Sequence, residues 1–329
     1  MKLKKIRVAI VGATGMVGRM FLKVLEEKKL PIDEYVLLAS SRSAGKIIKF
    51  MGKDYEVKLL SETSFDSGFD YALFSAGGAT SLKYAPIAAS KGCIVIDNSS
   101  AFRMDKDVPL VVPEVNPEDI KQNKGIIANP NCSTIQAVVP LKPLHDKYQI
   151  KRIVYSTYQA VSGAGIKGYT DLENGIKDIP PQKFPYPIFS NCIPHIDDFM
   201  DNGYTKEEMK MVNETRKILH DDNIAITATT VRIPVFNSHS ESINIEFENE
   251  FDLFELKQLL ANSPGIIVQD DTKNNIYPMP LNSNGTDEVY VGRIRRDFSV
   301  TNGINIWVVA DNIRKGAASN AVQILEKML

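Results

Sequence analysis

The sequence places one thiol where nucleophilic chemistry is feasible. In Asn129-Pro130-Asn131-Cys132-Ser133-Thr134, Cys132 stands where an apolar segment gives way to a helix-like run from Thr134 to Lys147. Unpaired backbone N–H groups and the positive end of a helix dipole favour thiolate over thiol at such a position. Cys93, in Cys93-Ile94-Val95-Ile96, reads as a small buried apolar residue. Cys192, in Asn191-Cys192-Ile193-Pro194-His195, has a histidine nearby in sequence but no helix-start signal. A histidine beside Cys132 could accept the thiol proton and then the proton of a thiohemiacetal. His145 and His220 lie within or at the ends of helical patterns and read as surface groups, which leaves His195 and His239. His239 follows the extended run Val231 to Ser238, and from spacing alone it reads as a surface loop histidine. Arg103 and Lys210 could bind anions, but charged helical side chains are usually solvated and composition alone supports neither.

A second chemistry is written near the start. Gly12-Ala13-Thr14-Gly15-Met16-Val17-Gly18 follows the apolar run Ile6 to Val11 and precedes an amphipathic stretch ending near Lys28. Strand, glycine turn and helix together form a phosphate-binding arrangement, although this glycine spacing alone is a weak signal. An NAD site usually places an acidic residue after the second strand to bond the ribose 2′-hydroxyl. This chain has Ser40-Ser41-Arg42-Ser43 there, and hydroxyls with a guanidinium suit a 2′-phosphate, so NADP is expected over NAD. A solvated polar loop is the alternative. Ser75-Ala76-Gly77-Gly78 adds small residues where backbone could approach the dinucleotide. A nucleotide-binding front half followed by a cysteine at a helix start suggests redox chemistry on an acyl group held as a thioester.

The elements that must position these groups divide in two. At 329 residues the chain exceeds what one hydrophobic core usually serves. Up to about residue 130, the strand candidates Ile6–Val11, Tyr35–Ala39, Tyr71–Ser75, Ile94–Asp97 and Gly125–Ala128 alternate with helical patterns. They predict an α/β, Rossmann-type, doubly wound parallel sheet. Beyond residue 150 the strands lengthen, as in Arg152–Gln159, and Ser242 to Glu248 alternates strictly. An α+β domain is expected there, its mixed or antiparallel sheet covered on one face and wet or partner-covered on the other. The Pro-rich segment Ile179 to Pro187 cannot be regular helix and is expected to cross a surface or subunit boundary. Asn312 to Leu329 reads as an amphipathic helix returning to the first domain. The expected division is 1–131 with 313–329 for NADP and 132–312 for catalysis and dimerisation.

Composition narrows the partners. Lys plus Arg total 39 against 40 Asp plus Glu, with no long basic run or aromatic-basic interleaving, so nucleic acid is not expected. Met1-Lys2-Leu3-Lys4-Lys5 runs straight into the first strand without the apolar core of a signal peptide, and the apolar runs are too short for a bilayer. Three cysteines without Cys-x-x-Cys spacing disfavour a disulfide framework and a cysteine zinc site, so a cytoplasmic, metal-free protein is expected.

Taken together, these segments closely resemble the aspartate-semialdehyde dehydrogenases, and the resemblance covers essentially the whole chain. It rests on Gly12 to Gly18, Ala39 to Lys46, Asp97 to Arg103, Asn129 to Thr134, Tyr158 to Gly165, Glu207 to Lys217 and Val231 to Glu241. The sequence around the thiol differs from that of acylglutamyl-phosphate reductases. The resemblance implies that Cys132 attacks the aldehyde, His239 acts as general acid/base, Gln159 orients the substrate, and Asn131 with nearby N–H groups steadies the oxyanion. It further implies that Arg232 clamps the substrate carboxylate, Glu207 meets its amino group, and Arg103 and Lys210 hold inorganic phosphate. For the cofactor it points to Gly12, Thr14, Gly15, Met16, Val17, Ser40, Arg42, Ser43, Ser75, Gly77, Ser162 and Gly163, with Asn312 near the nicotinamide.

The implied reaction is the NADP-dependent, reversible conversion of aspartate 4-semialdehyde and phosphate to 4-aspartyl phosphate through a Cys132 thioester. It runs reductively in the biosynthesis of lysine, methionine, threonine and isoleucine. A homodimer or homotetramer is expected, with default two-fold symmetry through the second sheet. Two rival readings are a related acyl-phosphate-forming aldehyde dehydrogenase with another substrate and a non-catalytic NADP-binding regulator.

Overall fold

The computed structural model describes residues 5–329; Met1–Lys4, read above as leading into the first strand, lie outside the described residues. The chain forms two compact units, Met1–Pro130 with Ala317–Leu329 and Asn131–Gly316.

In the first unit the expected apolar runs become strands because β-branched and aromatic residues alternate between two buried faces. Its elements in order are β1 (Arg7–Val11), α1 (Met16–Lys28), β2 (Glu34–Ala39), β3 (Ile47–Phe50), β4 (Lys53–Glu56), β5 (Lys58–Leu59), β6 (Tyr71–Phe74), α2 (Gly78–Ser90), β7 (Ile94–Asp97) and β8 (Ile126–Ala128). A parallel sheet runs β5-β2-β1-β6-β7-β8. Val8 and Ile10 pack with Phe21, Leu25, Val322 and Leu325, whereas Ala9 and Val11 pack with Phe65, Phe74, Ala85 and Ala88 on the opposite face. Each fully buried large apolar side chain contributes roughly 1.5–3 kcal/mol. The β3–β4 hairpin escaped the sequence reading. Met51 and Gly52 both have positive φ (50° and 70°), the backbone of a tight primed turn, and the short strands flanking it lack a long alternating pattern.

The second unit contains α3 (Cys132–Tyr148), β9 (Ile150–Gln159), α4 (Ile166–Gly175), α5 (Lys206–Leu219), β10 (Ala225–Arg232), β11 (His239–Phe247), α6 (Leu253–Ala261), β12 (Ile266–Val268), α7 (Pro280–Ser283), β13 (Val289–Asp297) and β14 (Gly303–Ala310). Its sheet is mixed, in the order β10-β9-β11-β14-β13-β12, with β9 parallel to β10 and antiparallel to β11. The period-two pattern in β11 sends His239, Glu241, Ile243, Ile245 and Phe247 to the covered face, and Ser242, Asn244 and Glu246 remain half-buried on the other. Residues 176–205 form no helix, which the Pro-rich run explains.

The C-terminal run departs from the expected continuous helix. Residues Arg314–Ala318 form a wide π turn, and the α-helix covers only Ser319–Glu326. The Asp311 carboxylate accepts from the Ile313 and Arg314 N–H groups, and the Asp311 carbonyl accepts from the Gly316 N–H, which fixes the irregular entry.

Candidate active site

In the first unit, the turn after β1 is shaped by close backbone approach. Gly12 has φ +85°, and a Cβ there would lie 2.2 Å from the Ser75 carbonyl oxygen. A Cβ on Gly18 would lie 2.1 Å from the Gly12 carbonyl oxygen, so this turn tolerates only glycine at both ends. Gly15 caps α1 and Gly77 caps α2 without a side-chain hydrogen bond, and neither first turn carries an acidic residue. Two helix starts in this unit therefore keep N–H groups suited to anionic phosphate. Met16 and Val17 form the first turn of α1. Thr14 Oγ1 donates to Ser43 Oγ at 3.1 Å, joining the first loop to the turn closed by Ser40, whose carbonyl accepts from the Ser43 N–H. Ser40 and Arg42 are exposed, and Ser75 is half-buried with its N–H on Val11. Arg103 is buried rather than solvated. Its guanidinium donates to the carbonyl oxygens of Asn129 (2.9 Å) and Asn98 (3.0 Å).

In the second unit, Cys132 is the first residue of α3, one position after its cap. The Asn131 side-chain oxygen accepts from the N–H groups of Ser133 (3.0 Å) and Thr134 (3.3 Å). Its Nδ2 donates to Glu207 Oε1 at 2.9 Å, and its main-chain N–H donates to Glu214 Oε2 at 2.6 Å. Asn131 is thus first a holder of the nucleophile's helix, and one amide hydrogen remains for an oxyanion. Glu214 was missed by the sequence reading. Its signal is the i, i+7 spacing from Glu207 on α5, which puts both carboxylates on one helix face. Gly316 touches the nucleophile, since a Cβ there would lie 2.8 Å from Cys132 Cβ.

Glu207 organises the polar end of the site. Its Oε1 accepts from Asn131 and from Gln159 Nε2 (3.2 Å), and its Oε2 accepts from Lys210 Nζ (3.1 Å). Burial pushes the carboxyl up, but Lys210, Asn131 and Gln159 together hold it below the usual carboxylate range. Burial likewise works against the Lys210 ammonium, and Glu207 with Asp197 (2.6 Å) more than offsets it. Lys210 is half-buried, with its ammonium between two carboxylates. Gln159 is oriented from its other end by the Thr157 hydroxyl at 3.0 Å.

His239 opens β11 and is fully buried, so the surface-loop reading of its spacing is corrected. The bend before it is real, since Ser238 has φ 71°, but strand pairing with Ala310 draws the ring inward. The Ala160 N–H donates to His239 Nδ1 at 3.0 Å, which assigns the proton of the neutral ring to Nε2. Burial, with Arg232 second, drives the ring well below its usual pKa, so it is neutral at physiological pH. Nε2 has no hydrogen-bond partner among the described residues. Arg232 donates to the Ala160 carbonyl at 2.6 Å; burial lowers its pKa, and the charges of Glu207 and Cys132 act in opposition. Gly163 admits both groups, because a Cβ there would lie 2.8 Å from Arg232 Nη1 and 3.3 Å from His239 Nε2. Ser162 Oγ and the Ser238 N–H bind Asn312 Oδ1 at 3.1 and 2.9 Å, tying three segments beside the histidine.

The other expectations for thiols and histidines resolve individually. Cys93 is buried, and desolvation pushes its thiol up to about 12. Cys192 is exposed, and His195 stacks on Phe199. His145 is half-buried with Nδ1 accepting from the Ile150 N–H, whereas His220 caps α5 at the surface. No helix among the described residues is long and apolar enough to cross a membrane.

A thiol at a helix start, with a buried histidine and arginine sharing its surroundings, is chemistry for an aldehyde or acyl group. Family comparison agrees. Residues 7–123 match the family model "Semialdehyde dehydrogenase, NAD binding domain" and residues 141–315 match "Semialdehyde dehydrogenase, dimerisation domain". The aspartate-semialdehyde dehydrogenase of Aquifex aeolicus (strain VF5) is 61% identical, with 98% of each chain covered. The chain belongs to the aspartate-semialdehyde dehydrogenase family. Among solved family structures, aspartate semialdehyde dehydrogenase II of Vibrio cholerae, complexed with ASA, superposes with a TM-score of 0.95 at 50% identity, covering 99% of this chain and 98% of that one. The Candida albicans aspartate semialdehyde dehydrogenase with NADP gives a TM-score of 0.79 at 27% identity, covering 99% and 98%.

Proposed function

We infer that this protein is an NADP-dependent aspartate-semialdehyde dehydrogenase, converting L-aspartate 4-semialdehyde reversibly to L-4-aspartyl phosphate through a cysteine thioester. The carrying observation is Cys132 at the start of α3, held through Asn131 by Glu207 and Glu214. NADP accepts a hydride when bound, and the uncapped helix starts after Gly15 and Gly77 suit its phosphates. Gly12, Thr14, Met16, Val17, Ser40, Arg42, Ser43 and Ser75 form the rest of this site, with Arg42 toward a 2′-phosphate. Ser162, Gly163 and Asn312 serve the nicotinamide.

In the oxidative direction the Cys132 thiolate adds to the aldehyde carbon, and the carbonyl oxygen becomes an oxyanion. His239 Nε2–H, the acid side of its acid/base role, donates a hydrogen bond to that oxygen, which stays an oxyanion until hydride leaves, while the second amide hydrogens of Gln159 and Asn131 orient and steady it. Transfer of hydride leaves a thioester, which phosphate attacks to free Cys132. Arg232 offers a planar fork to the substrate carboxylate, Glu207 meets the amino group, and Arg103 and Lys210 bind phosphate. Glu207 with Arg232 favours an amino-acid head group over a simple aldehyde and argues against the rival substrates.

The expected assembly is a homodimer through the second unit, with residues 1–131 and 313–329 serving NADP and 132–312 serving catalysis. Cysteines outside any disulfide suit a cytoplasmic setting. The test is intact-protein mass after incubation with the semialdehyde and NADP without phosphate. An aspartyl adduct on Cys132, removed by phosphate, supports the reading. An unmodified Cys132 in active protein would overturn it.

A further inference from the structure

Beneath His239 the covered face of β11 carries a second titratable group that the reaction above does not use. Glu241 lies two residues along the strand, pairs in register with Thr157 and Val308, and is fully buried. Neither carboxyl oxygen has a hydrogen-bond donor among the described residues, and the Oε1 of Gln136 likewise has none. Gln136 is the side chain that approaches this carboxyl, and its Nε2 donates to the main-chain oxygen of His239 at 3.3 Å. Gln136 stands four residues after Cys132 on α3, one helical turn along the same face.

Buried acceptors without a donor each carry a desolvation cost, and a carboxylic acid proton on Glu241 would remove it by supplying a donor to the neighbouring amide. Ionisable groups near Glu241 leave room for that acid form. Glu207 on α5 is negative, Tyr155 on β9 is neutral with its hydroxyl on Thr215, and His239 is neutral. Burial first, and then Glu207, push the Glu241 carboxyl well above the usual range, outweighing the amide of Gln136.

We propose that Glu241 is a positioning residue of this site: its carboxylic acid donates to Gln136 Oε1, and Gln136 in turn holds the main chain of His239, locking the helix of the nucleophile to the strand of the acid/base. The link fixes the separation of Cys132 and His239 without touching substrate. It rests on the reading of Cys132 and His239 given above. A misplacement near 1 Å between reacting groups can cost on the order of a hundredfold in rate, which sets the scale of what such a link protects.

The test compares E241Q, E241L, Q136L and E241L/Q136L in the full-length protein, with NADP binding as the check on folding. E241Q keeps an N–H donor for Gln136 and is expected to retain most of kcat. E241L and Q136L are expected to lose about tenfold to a hundredfold in kcat with little change in KM, and the double variant no more than either alone. Infrared difference spectra of wild type against E241Q should contain the carbonyl band of a protonated carboxyl near neutral pH. Loss in E241Q equal to that in E241L, additive losses in the double variant, or absence of the band would each overturn the proposal. Should E241L or the double variant fail to fold, Q136L, E241Q and the infrared band still decide it. The band is read without turnover, so failure of the semialdehyde reaction itself remains distinguishable from failure of this link.

Discussion

At the residue scale, the thiol was legible in the sequence because a helix start leaves a local signal, while its partners are brought together only by the fold. Cys132 could be read from Asn131-Cys132-Ser133-Thr134, and Glu214 only through its spacing from Glu207, whereas Ala160 and Gly316 contact the site through long-range packing that no spacing announces. His239 was misread from spacing because burial by strand pairing is a tertiary effect. C132S is expected to abolish turnover while leaving NADP affinity unchanged, since a serine hydroxyl has a far higher pKa than a thiol. Titration of NADPH fluorescence alongside the rate assay checks both parts, and substantial residual rate would remove Cys132 as nucleophile. R232K is expected to raise the semialdehyde KM and lower kcat/KM, because a point charge cannot reproduce a bidentate fork. Steady-state kinetics indistinguishable from wild type would take Arg232 out of the substrate site.

At the element scale, helices and strands with a continuous period were readable, and the pieces fixed by local irregularity were not. β11 alternates strictly and was anticipated, while the β3–β4 hairpin and the π turn at Arg314–Ala318 depend on turn backbone and on the Asp311 side chain. β11 also carries two buried groups with opposite linkage to pH. His239 has a folded pKa below its unfolded value, so the unfolded chain alone takes up its proton below about pH 6.5, and stability from this group falls as the pH drops through that range. Glu241 has a folded pKa above its unfolded value, so its contribution is fully present below about pH 4.3 and is lost as the pH rises toward the folded value. The slope for either is at most about 1.4 kcal/mol per pH unit. E241Q, which never ionises, should therefore gain in urea midpoint relative to wild type as the pH rises from about 5 to about 7. An equal shift at both pH values would contradict a raised Glu241 pKa. On α3, N131A removes the cap and the Glu207 contact together and is expected to cost about 1–2 kcal/mol, measured by the same unfolding curves.

At the scale of the whole molecule, the doubly wound sheet and the mixed second sheet were both visible as a change of pattern between about residues 130 and 150, because two buried faces and one buried face leave different periodicities. Cofactor choice belongs to this scale, since it sets which reductant pool the protein draws on. R42D is expected to weaken NADP by roughly tenfold or more while sparing NAD, the loss of one charge-assisted phosphate contact, and equal weakening of both would point instead to a damaged loop. The central claim is that one chain couples hydride transfer to phosphorolysis of a thioester on Cys132. Its most direct test is NADPH formation from aspartate 4-semialdehyde and NADP by the purified, reduced protein, with and without inorganic phosphate. Sustained turnover that requires phosphate is the expected result. Equal sustained turnover without phosphate, or none with folded protein that binds NADP, would contradict it.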